Sequence, residues 1–153
     1  PPLPNFGSQD ANVLAYTSGG ALRWVMTVGG TDNDQGRGIA GDGTGGGVVA
    51  VSVTGSVTIT KADGTTITST PAGGSAGNDI LLIRFAANGG ITWTKRYGGP
   101  ADDHPRGIGF DGNGNIVFSA VVTGSVAWGV AKSQSDRAAH DDRARHHPLQ
   151  LHG

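Results

Sequence analysis

Two loops of this chain, 69 residues apart, carry titratable side chains in a pattern that could do chemistry: Asp32-Asn33-Asp34-Gln35-Gly36-Arg37 and Ala101-Asp102-Asp103-His104-Pro105-Arg106. Asp103, His104 and Arg106 place a carboxylate, an imidazole and a guanidinium within four positions. Carboxylates and neutral imidazoles form zinc shells, and an open coordination position turns bound water into a nucleophile. Arg106 would then stabilise negative charge developing on a phosphoryl or acyl oxygen. Four of the five histidines lie near the C-terminus, at His140, His146, His147 and His152. The metal set this suggests is His104, His140, His146 and His147, and occupancy should fall below the ordinary histidine pKa of about 6.5. No His-Glu-x-x-His supports it, and the sequence fixes no cofactor; zinc is the candidate. The competing reading is structural. A residue that recurs with a repeat usually serves the repeat. Asp34 and Asp103 would then accept loop N–H groups, or pair with Arg37 and Arg106.

Other chemistries lack motifs. The chain has no cysteine and no Gly-x-Ser-x-Gly elbow, so nucleophilic hydrolysis has no signature. Its glycines do not build a phosphate loop ending in Lys-Ser/Thr. Asp111-x-Asn113-x-Asn115 resembles the start of a calcium loop, but Ile116 stands where glycine is needed and Val122 where the bidentate glutamate belongs. A plain β-turn is the better reading.

The elements that must position these residues follow from the repeat. Between Gly29–Val57 and Gly98–Val126, 15 of 29 positions are identical without a gap. Looser matches include Asp10/Asp79 and Trp24/Trp93. Fixed-period similarity means stacked copies of one supersecondary unit. Composition agrees: 28 glycines in 153 residues, 15% charged residues, and apolar positions dominated by Val and Ile with Thr between them. The net charge of −1 gives no electrostatic reason to expect a nucleic acid or an anionic membrane as partner. Apolar runs such as Val48–Val53 are too short to span a bilayer as a helix. The chain opens Pro1-Pro2-Leu3-Pro4, which leaves a removed signal peptide and a trimmed end both open.

Strands are expected at Asn12–Ser18, Ala21–Val28, Arg37–Gly41, Gly47–Thr54, Ile80–Ala86, Ile91–Tyr97, Arg106–Phe110 and Asn115–Val122, with Gly-rich turns between. Ser56–Ile59 and Thr65–Thr68 flank Ala62-Asp63-Gly64 as an extra hairpin. The repeat region is 1–128. The tail, 129–153, is foreign to it, rich in Arg, His, Asp and Ala, and reads like another frame or a vector scar. Ser135 could cap a short helix over Asp136–Arg145, stopped by Pro148.

These residues resemble the SBBP-type β-propeller repeat of secreted and surface bacterial proteins. The matching pieces are Asp79–Phe85, Asn88–Trp93, Arg96–Gly99, Arg106–Val117 and Val122–Ser125, with a looser fit over Asp10–Val57. The resemblance covers roughly 8–128. It implies an all-β fold of four-stranded blades around a channel, and no enzymatic activity. It also implies a secreted or cell-surface location. On that plan the chain divides into a half-blade (8–28), a full blade (36–97) and a half-blade (106–128). The loop before each first strand then lies beside the channel mouth. The tail starts on the same face, which would carry its histidines toward Asp103 and His104.

About two blades cannot close a ring, since propellers typically use 4–8. The two half-blades are complementary, so the expected partner is the chain itself, in a homo-oligomer closed as a trimer or tetramer. The alternative is an inert fragment. Two functions follow: a non-catalytic scaffold or binding module, or a zinc-dependent promiscuous hydrolase of phosphoesters or esters. Only the second needs a small-molecule substrate.

Overall fold

The computed structural model describes residues 3–73, 77–126 and 128. The expected tail helix over Asp136–Arg145 lies outside them, as do His140, His146, His147 and His152. Among the described residues every regular element is a strand: β1 (Ala11–Tyr16), β2 (Leu22–Gly29), β3 (Gln35–Gly41), β4 (Gly47–Thr54), β5 (Val57–Thr60), β6 (Thr66–Ser69), β7 (Asn78–Phe85), β8 (Ile91–Tyr97), β9 (His104–Phe110) and β10 (Ile116–Val121). All their pairings are antiparallel.

The strands are built by short turns. At Thr17–Ala21, Lys61–Thr65, Ala86–Gly90 and Asp111–Asn115, the first N–H donates to the fifth carbonyl at 2.8–2.9 Å. The fourth residue is a glycine with φ between 80° and 84°. Only glycine adopts that conformation without strain, so the glycine content is largely turn chemistry. The side chains of Asp63 and Asp111 tighten two of these turns by accepting the N–H two residues on. This resolves the calcium-like motif: both Asp111 oxygens are engaged, by the Asn113 and Asn115 amides and by Asn115 Nδ2.

Three sheets result. Sheet 2 runs β3-β4-β7-β8, the four strands of a full blade. Its inner strands are buried on both faces (Gly47–Val53 in β4, Asp79–Ile83 in β7), because sheets cover it on each side. Sheet 3 is the pair β10-β9. Sheet 1 departs from the half-blade expected over 8–28. It has four strands, β1-β2-β5-β6, because the extra hairpin adds Thr27-Val28-Gly29 of β2 to Thr58-Ile59-Thr60 of β5. The chain therefore leaves sheet 2 after β4, completes sheet 1, and returns to sheet 2 at β7.

The main core lies between sheets 1 and 2. Val13, Trp24, Met26 and Ile59 meet Val49, Val51, Leu81, Ile83 and Phe85. Trp24 stands edge-on to Phe85 with centroids 5.4 Å apart and donates its indole N–H to the Ala87 carbonyl at 2.9 Å. A smaller core between sheets 2 and 3 joins Ala50, Ile80 and Leu82 to Trp93, Tyr97, Ile108 and Phe118. Tyr97 also packs on Trp128, with ring centroids 5.3 Å apart. Trp24 and Trp93 thus occupy equivalent places, one in each core.

Candidate functional site

The β2–β3 and β8–β9 loops place the recurring acidic residues identically. Asp34 Oδ2 accepts the Gly30 N–H at 2.7 Å and Oδ1 the Thr54 N–H at 3.1 Å. Asp103 Oδ2 accepts the Gly99 N–H at 2.9 Å and Oδ1 the Thr123 N–H at 2.8 Å. The main chains match too: the Asp34 N–H donates to Gln9 and the Asp103 N–H to Asn78, both at 2.7 Å. Each carboxylate is fully buried and clips one loop to the end of a second strand in the next sheet. Burial pushes the Asp34 carboxyl above its usual range, against the two backbone N–H groups that favour its charge.

The structural reading of these residues therefore has a geometry. Asp103 has both oxygens committed to backbone donors. No ion pair joins Asp34 to Arg37 or Asp103 to Arg106 among the described residues. Arg37 and Arg106 are exposed. Both stand at β-bulges, Arg37 between Gly36 and Gly38 opposite β4, Arg106 between Pro105 and Gly107 opposite β10. A bulge re-aims one side chain without ending the ladder.

His104 lies half-buried at the start of β9, its Nδ1 2.9 Å from Ser52 Oγ. A Ser–His contact invites a hydrolase reading, but the surroundings do not complete one. Ser52 is 1% exposed, so a substrate carbonyl could not reach its hydroxyl. The nearby carboxylate, Asp102, accepts from the Asn78 N–H and Nδ2 instead of orienting the imidazole. Those donors hold the Asp102 carboxyl below its ordinary range, with a smaller contribution from His104. Among the described residues no group of three or more His, Asp or Glu is placed to hold a metal. Of the proposed metal ligands only His104 is described.

Two ionic clusters lie outside the loops and motifs above. Asp79 pairs with Arg96, whose Nε lies 2.7 Å from Asp79 Oδ2. Arg96 also donates to the Ser69 and Gly55 carbonyls at 3.1 and 2.8 Å, tying the β5–β6 hairpin to sheet 2. The Asp10/Asp79 equivalence was a signal for this site, although Thr27 stands where the repeat of Arg96 would fall. Gly29 and Gly98 pass so close over Asp10 and Asp79 that a Cβ at either would overlap the carboxylate. The second cluster is Arg84 with Asp42. Arg84 also donates to the Gly47 carbonyl at 2.8 Å and stacks over the Phe110 ring at 5.2 Å. That guanidinium holds the Asp42 carboxyl at about 2.

Comparison with known proteins agrees with this architecture. Residues 92–120 match the family described as Beta-propeller repeat, SBBP. The chain is also 32% identical over 113 residues to the Regulatory protein FlaEY of Caulobacter vibrioides. The match takes in 72% of this chain and 11% of that protein's length.

Proposed function

We propose that this chain, which carries an SBBP β-propeller repeat, is a non-catalytic module that works as a scaffold or binding surface by assembling blades with copies of itself. The observation that carries the reading is the duplicated carboxylate clip. Asp34 and Asp103 are the fully buried acids of the two loops most suited to chemistry, and both are consumed by backbone donors. A carboxylate already saturated by N–H groups is a poor metal ligand or base. Two blades' worth of strands per chain then close as a trimer of six blades or a tetramer of eight. A regulatory role exercised through binding fits the name of the Caulobacter relative, and the family resemblance suggests a cell-surface or secreted setting.

Light scattering coupled to size-exclusion chromatography tests this. A mass of three or four protomers is expected. A sharp monomer that unfolds cooperatively overturns it, as would stoichiometric zinc accompanied by hydrolysis that is lost in His104→Ala.

A further inference from the structure

The ends of the chain expose what its middle buries. Leu14 and Tyr16 of β1 are 41% and 56% exposed, whereas Ile83 and Phe85, 69 positions later in β7, are 0% and 5%. Val117 of β10 is 61% exposed, and its equivalent Val48 in β4 is 0%. In sheet 2 these equivalents cover one another: β4 pairs with β7 from Gly47↔Phe85 to Thr54↔Asn78 without a bulge. β10 repeats β4, and β1 repeats β7. Each has one edge paired, to β9 and to β2, and the other without a strand neighbour among the described residues.

We propose that β10 of one copy adds to the open edge of β1 of the next, antiparallel, with Ile116 opposite the partner subunit's Tyr16 and Val121 opposite the partner subunit's Ala11. The inference rests on the self-assembly reading above and specifies its contact. The register is the β4–β7 register moved by one repeat, so Val117 faces the partner's Ala15 and Phe118 faces the partner's Leu14. The product is one six-stranded sheet, β9-β10 from one copy and β1-β2-β5-β6 from the other.

Three separate features fit this occupant. A cleft of about 330 Å³ beside β1, lined by Val13, Leu14, Gly38 and Ile39 among others, lies where a neighbour's β9–β10 pair would enter. Ile39 is 57% exposed there, whereas its equivalent Ile108 packs against Gly38 of the preceding sheet, within 3.2 Å of where a Cβ would stand. The neighbour's Gly107 would cover Ile39 in the same way. Lastly, Trp24 is completed by Phe85 and the Ala87 carbonyl from the following sheet. For Trp93 the same positions belong to the partner's Tyr16 and the partner's Ser18.

The chain lacks cysteine, which makes disulfide trapping clean. Two in-register double variants, Val117→Cys/Ala15→Cys and Phe118→Cys/Leu14→Cys, sample both kinds of antiparallel pair, only one of which suits a disulfide. A third, Val117→Cys/Val13→Cys, is two residues out of register on the same face. After mild oxidation, at least one in-register variant should give a ladder of covalent multimers ending at the light-scattering mass, and the shifted variant should stay monomeric on a non-reducing gel. An oligomeric protein with no ladder from either in-register variant, or with a ladder from the shifted one, overturns the register and leaves the scaffold reading standing. A monomeric parent protein overturns both.

Discussion

Arg96 reaches Asp79 through its Nε at 2.7 Å, with the two side chains 6% and 1% exposed. The other Asp79 oxygen, Oδ1, has no hydrogen-bond partner among the described residues. The pair thus sits in the interior anchored through Oδ2, which also accepts the Ala72 N–H at 2.9 Å. Breaking such a pair from one side leaves an uncompensated buried charge. Arg96→Met should therefore cost about 3–5 kcal/mol. It should also release the β5–β6 hairpin, since the Ser69 and Gly55 carbonyls lose their donor. Urea unfolding followed by tryptophan fluorescence reads the first effect, and limited proteolysis near Asp63 the second.

Asp103→Ala separates a structural from a catalytic role. The substitution leaves the Gly99 and Thr123 N–H groups without their acceptor. Each unsatisfied buried donor costs about 1–3 kcal/mol, and Asp34→Ala should behave alike because its hydrogen bonds are the same. A loss of stability in both variants is expected. Unchanged unfolding in Asp103→Ala, with loss of a hydrolytic activity, would contradict it.

Acid should act on this protein in two opposed ways. Asp42, Asp63, Asp102 and Asp111 are lowered in the folded state, Asp42 to about 2 by Arg84 and the Thr44 hydrogen bonds. Their stabilisation is present above the ordinary carboxyl value near 3.8 and is lost as pH falls toward the folded values. Asp34 runs the other way. Its raised value means the folded state takes up the proton first, so stability is regained as pH falls through that value. Four lowered groups against one raised group predict melting temperatures that drop below pH 4. In Asp42→Asn the decline between about pH 4 and 2 should be shallower.

Gly89 and Gly114 hold the same turn position with φ of 80°. A Cβ at Gly114 meets nothing within 4 Å, whereas one at Gly89 lies 2.8 Å from the Trp24 ring. Gly114→Ala should cost only the left-handed backbone penalty, about 1–2 kcal/mol. Gly89→Ala should cost distinctly more and shift the tryptophan emission, which Gly114→Ala leaves unchanged. Thermal unfolding with fluorescence detection compares them directly.

Much of the strand pattern was readable from the chain, because each turn glycine stands between runs of alternating Val, Ile and Thr. The destination of the β5–β6 hairpin was not. Val57-Thr58-Ile59-Thr60 has the period of any half-buried strand, and nothing local says which sheet edge it joins. The answer lies in the β2–β3 loop, where Gly30 passes so near the Ser56 carbonyl that a Cβ there would stand 2.6 Å from it. The candidate site was legible as residue types and not as roles. His104 was visible, but Ser52, its neighbour in space, lies 52 positions away in sequence.

The excursion of the chain between β4 and β7 has a thermodynamic consequence. In most repeat arrays each unit is one continuous segment, and stability is nearly a sum of unit and nearest-neighbour contributions. Here the outer half of sheet 1 is spliced into the middle of sheet 2. Sheet 1 cannot fray away while β4 and β7 stay paired without pulling β5 and β6 off its edge. The two sheets should melt as one cooperative block, with amide exchange in β2 matching that in β4, whereas β9 and β10 should open earlier wherever β10 lacks the partner's β1 beside it.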